Sequence, residues 1–110
     1  MTNHHPTARV RYALDTTAAP GTDDYPIVAV TDIRTARDWS RTTITVGAAA
    51  RAIPTGRVLV FNPGWWGERV ATVCHGVEGV DRVDMIVTSG GVATVTVWWD
   101  RPWPRGWRSR

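Results

Sequence analysis

Cys74 and His75 are adjacent in the 110-residue chain, the one place where a thiol stands beside a potential base. On a strand, neighbouring side chains point to opposite faces, so the two could not hydrogen-bond as a catalytic dyad there. A cysteine in a valine-rich stretch is read instead as a small buried hydrophobe. His4 and His5 could touch a metal, but adjacent ligands near a terminus define no coordination geometry. Asp81 with Asp84, and Asp23 with Asp24, fit turn formers and solvated strand ends better than paired acid–base carboxylates. Only three serines occur, none in a Gly-x-Ser-x-Gly turn. There is no lysine, which excludes Schiff-base chemistry and a Walker-type phosphate loop. No enzyme, metal or cofactor is expected.

Aromatic and cationic residues give a stronger signal. Trp65 and Trp66 lie between glycines in Asn62-Pro63-Gly64-Trp65-Trp66-Gly67. One reading folds one indole inward and lays the other over a sheet edge. The other displays both for stacking on a base, a sugar or a protein pocket. A second cluster begins at Trp98 and Trp99 and continues through residues 101–110, Arg-Pro-Trp-Pro-Arg-Gly-Trp-Arg-Ser-Arg. Prolines at 102 and 104 forbid a regular helix and favour an extended path. Arginine and tryptophan are the residues enriched at interface hot spots. The expected partner-binding set is therefore Trp65, Trp66, Trp98, Arg101, Trp103, Arg105, Trp107, Arg108 and Arg110.

The charge distribution supports this division. The chain carries a formal +3, yet four of its thirteen arginines lie in residues 101–110. Residues 1–100 hold nine arginines against ten acids, a net of −1. A near-neutral body carries a basic tail.

These residues need a scaffold, and the composition indicates its kind. Fifteen valines and fifteen threonines against two leucines favour strands, because β-branched side chains lose rotamer freedom in helices. Alternation predicts strands over residues 8–14 (Val10, Tyr12 and Leu14 on one side), 27–33, 42–46, 57–61 and 68–75. A short helical turn is expected in Gly47–Ile53 and a type II turn at Asn62-Pro63-Gly64. Arg34–Arg41 reads as polar, with Trp39 folding back as a lid. Around Ser89-Gly90-Gly91, a three-residue loop pairs Val87 with Ala93, Met85 with Val95 and Val83 with Val97 on one face. It pairs Ile86 with Thr94, Asp84 with Thr96 and Arg82 with Trp98 on the other. That register puts Trp99 on the core side and Trp98 outside.

About seven short strands with frequent turn signals predict an all-β fold, a small antiparallel barrel or sandwich. The expected organisation is a flexible N-terminal arm over 1–7, a β-domain over 8–100 and an Arg/Trp/Pro-rich tail over 101–110. A single cysteine rules out an intramolecular disulfide framework. No apolar run is long enough for a membrane helix, and Met1–Pro6 shows no secretory leader. Arginine without lysine, with abundant alanine, glycine and valine, points to a GC-rich bacterium or its phages. The expected location is that cytoplasm or a virion.

The leading functional expectation is a non-enzymatic assembly module, a phage capsid decoration or head–tail component that contacts neighbouring subunits through its arms. The alternative is a small nucleic-acid-binding protein that uses loop tryptophans and tail arginines. A further alternative is a glycan-binding module.

Overall fold

In the computed structural model, residues 5–17, 26–52, 55–88 and 90–100 are described. Helix α1 spans Pro6–Asp15. A 3-10 turn, Pro26–Ala29, leads into β1, Val30–Thr35. Then come β2, Arg41–Val46; β3, Ala49–Ala52; and β4, Val58–Phe61. Helix α2, Pro63–His75, precedes β5, Val80–Val87, and β6, Ala93–Trp99.

Four strands form one antiparallel sheet in the order β1-β2-β6-β5, and β3 pairs with β4 in a separate ribbon. The fold is mostly β but is not the expected all-β barrel or sandwich. The main sheet stays open, and two helices contribute to the core.

Register explains which face is buried. Thr42, Ile44 and Val46 of β2 alternate with Arg41, Thr43 and Thr45, and lie opposite Val97, Val95 and Ala93 of β6. The inward set is buried and joins Val10, Leu14, Trp66, Val70 and Cys74 from the helices in one core. The last hairpin has the register read from its alternation, from Val87↔Ala93 through Arg82↔Trp98. Gly91, at φ 82°, supplies the left-handed residue that its loop requires. Trp99 is buried, and its indole N–H donates to Thr42 Oγ1 at 2.9 Å.

Both helices fall where strands were expected. Residues 8–14 do alternate, but Pro6, Val10 and Leu14 also recur every four positions. The helix buries that stripe and leaves Tyr12 outside. His5 caps α1 by accepting from the Thr7 N–H, and Pro6 occupies the first turn, where its missing N–H costs nothing. The helix thus includes Pro6 and Thr7 of the expected arm; residues 1–4 lie outside the described set.

The same conflict of periods recurs at α2. Trp66, Val70 and Cys74 form a buried i, i+4, i+8 stripe through the stretch read as a strand. Asn62-Pro63 is no type II turn but a cap: Asn62 Oδ1 accepts from the Trp65 N–H at 2.8 Å, and Pro63 opens the helix. Gly67 brings α2 close to the sheet. A Cβ there would lie 2.7 Å from Met85 Sδ and 2.9 Å from Ala93 Cβ.

Ala49–Ala52, expected as a helical turn, is extended and pairs with β4. Four residues are too few to nucleate a helix alone, so pairing prevails. Residues 27–33 divide, with the 3-10 turn ending at Ala29 before β1 begins. Trp39 is half-buried and packs edge-on against His5 at 4.8 Å, with φ 60°. That conformation costs a non-glycine residue on the order of 1–2 kcal/mol, offset here by the ring contact and the Ala36–Arg41 turn bonds.

Candidate interaction surfaces

The two loop tryptophans separate. Trp66 is 1% exposed, and its indole N–H reaches the Ala49 carbonyl at 3.4 Å, fastening the β3–β4 ribbon to the core. As a displayed stacking platform Trp66 is therefore corrected: it is a core residue, because helical periodicity turns it inward with Val70. Trp65, one position earlier, is 36% exposed and stacks on Phe61 at 4.4 Å, with the Arg69 guanidinium 5.4 Å from its ring. Beside it, Gly64 abuts Val87 at the end of β5. The ribbon adds Val60, 70% exposed, and Val58. On β5, Ile86 is 66% exposed on the outer face of the sheet and Val87 49% exposed on the inner one.

Trp98 occupies the outer face of the open sheet. It lies across from Arg41 on β2 and Arg82 on β5. Their guanidinium carbons are 5.8 and 4.8 Å from its ring, within cation–π range. Its N–H donates to Asp84 Oδ2 at 3.1 Å, and the same oxygen lies 3.5 Å from Arg82 Nε. The hairpin register anticipates Arg82. Arg41 was missed, because the β2–β6 pairing joins segments far apart in sequence and no local pattern announces it. Toward the far edge, Arg34 is bonded to Asp32 at 2.8 Å. The face therefore interleaves charges of both signs around half-buried threonines at 43, 45, 94 and 96.

A third feature has no counterpart in the sequence reading. Residues of α1, of α2 and of the turn after it line a mainly apolar groove of about 990 Å³, among them Ala8, Ala13, Thr16, Thr72, Val73 and Val77. Arg9 closes one end: its guanidinium donates to the Glu78 carbonyl and lies 5.2 Å from the Trp99 ring. The signal was present as small residues spaced along two helices, but it is legible only once those segments are known to be helical.

The residues that could do chemistry are dispersed. Cys74 is fully buried, and burial pushes its thiol up to about 12. His75 follows on the exposed side of α2. Asp81 and Asp84 are exposed. Asp38 is held below the usual carboxylate range by hydrogen bonds from Ser40, whose N–H reaches it at 3.0 Å. Among the described residues no three of His, Cys, Asp and Glu group as metal ligands, and no helix is long and apolar enough to cross a membrane. His4, Asp23, Asp24, Arg101, Trp103, Arg105, Trp107, Arg108 and Arg110 lie outside the described residues. Compared with protein-family models, curated proteins and solved structures, the chain has no match in any of the three.

Proposed function

We propose that this chain is a non-enzymatic assembly module, a small structural subunit of a phage particle that contacts neighbouring subunits. The observation that carries the reading is the exposure of large apolar side chains, Val58 and Val60 on the ribbon, Trp65 on α2, and Ile86 and Val87 on β5. Val58 and Val60, two apart in β4, share one face of the ribbon, and paired exposed apolar side chains of this kind mark contact surfaces. The β3–β4 ribbon, with each strand paired on one side only, is suited to add a neighbour's strand. The arginine- and tryptophan-rich tail supplies further interface residues. The phage assignment follows the composition bias toward a GC-rich host and the analogy with the small β-proteins of phage particles.

Light scattering across a concentration series tests the reading. The expected mass is a multiple of 12.2 kDa that falls on dilution. A strict monomer at every concentration, with no binding to assembled particles of the host phage, would sink it.

A second reading, nucleic-acid binding, is favoured by Trp98 between Arg41 and Arg82 on the open face. Four tail arginines on phosphates would give a log–log salt slope of about −3 to −4. Affinity for single-stranded oligonucleotides that does not change with salt would reject it.

A further inference from the structure

We infer that the groove between α1 and α2 is the receptor for the chain's own C-terminal segment, residues 101–110. The argument starts from where the described chain ends. Asp100 donates its N–H to the Gly79 carbonyl at 2.8 Å, next to Glu78 on the groove wall. Trp99, one residue earlier, lies against Arg9, which lines the same groove and approaches Gly79. The described chain therefore ends, at Asp100, beside the rim of the groove.

Reach is sufficient. Ten residues at the polyproline-like rise span about 31 Å. The ten-residue α1, which forms one wall, is about 15 Å long. Chemistry matches as well. The wall residues Ala8, Ala13, Val73 and Val77 line an apolar trough of about 990 Å³. Trp103 and Trp107 are the apolar groups of the segment, and its prolines reduce the entropy lost on docking in an extended form. The segment holds four arginines and no acid; the groove lining has one acid, Glu78, beside Arg9, and Asp100 lies at Gly79 next to it.

This inference does not rest on the assembly reading and takes the tail out of its interface, leaving subunit contact to the exposed apolar side chains. The full-length chain carrying Ser109→Cys tests it, with a nitroxide on the new thiol; Cys74 is buried and stays unlabelled. Amide signals of Ala13, Thr16 and Val77 are expected to lose more than half their intensity, while Thr43 and Thr94 on the outer face keep theirs. Thr72→Arg, an exposed substitution that fills the groove, should restore the lost signals. Broadening that is absent, that falls on the ribbon or the outer face, or that arises only between mixed labelled and isotope-enriched copies overturns the proposal. The mass of the same sample separates the two readings. Groove broadening in a strict monomer sinks assembly and keeps this inference, and an oligomer without it does the reverse.

Discussion

Gly67 stands where α2 comes nearest the sheet, and two opposed effects meet there. Alanine is worth about 1 kcal/mol over glycine in a helix interior. A Cβ would, however, meet Ala93 Cβ at 2.9 Å, an atom fixed to the backbone of β6, and the more yielding Met85 Sδ. Overpacking of this kind costs about 1–3 kcal/mol. Gly67→Ala is therefore expected to lower the urea midpoint with an unchanged slope. Thr42 presents a different case. It accepts from the Trp99 indole at 2.9 Å and shares a hydroxyl contact with Thr35, which in turn meets Thr7 of α1 at 2.7 Å. Thr42→Val keeps the shape but strands a buried N–H, an expected loss of about 1–3 kcal/mol by the same measurement. Cys74 adds a pH dependence. Its thiol titrates near 12 when folded against an ordinary 9.0, so above pH 9 the unfolded chain binds fewer protons than the folded one. Stability should fall as pH rises from 9 toward 12, by about 1.4 kcal/mol per unit at most. Cys74→Ala, compared by denaturation at pH 8 and pH 10.5, should flatten that slope.

At the scale of elements, the caps decide where the helices begin. Asn62→Ala removes the acceptor for the Trp65 N–H and should cost about 1 kcal/mol, read as a lower Tm. The β3–β4 ribbon, held mainly by Phe61, Ala49 and Trp66, should exchange its amide hydrogens well before β2 and β6. Here too the limits of the sequence reading are clearest. The β5–β6 register was legible residue by residue, because alternation in both strands and a glycine-bearing loop agree on one pairing. The helices were not. Val10 with Leu14, and Trp66 with Val70 and Cys74, fit periods of both two and four, and β-branched neighbours weighted the choice toward strand. The decisive marks were His5-Pro6 and Asn62-Pro63, each an N-cap followed by proline. The Arg41–Trp98 contact depends on long-range pairing and left no local trace, and the small residues of the groove become legible only once their segments are known to be helical.

For the whole molecule, the balance of charge and apolar surface predicts how assembly responds to salt. In the proposed assembly, contacts through Val58, Val60, Trp65 and Val87 would be apolar, and the body of the chain is nearly neutral. At 1 M salt the Debye length is about 3 Å, which removes most long-range charge effects but leaves apolar burial in force. Sedimentation at 0.1 and 1 M salt should therefore give the same or tighter association. Val60→Asp should weaken it at least tenfold while leaving the urea midpoint nearly unchanged, since Val60 lies outside the core.

The β1-β2-β6-β5 order also has a kinetic meaning. Each edge hairpin is local, yet β2 meets β6 only after residues 47–92, with α2 among them, have been closed into a loop. The chain should thus fold by docking two early hairpins in a later, slower step, since each doubling of such a loop adds about 0.6 kcal/mol of closure entropy. Gly91→Ala, at φ 82° in the hairpin loop, should slow refolding, whereas Thr42→Val, at the docking seam, should chiefly speed unfolding.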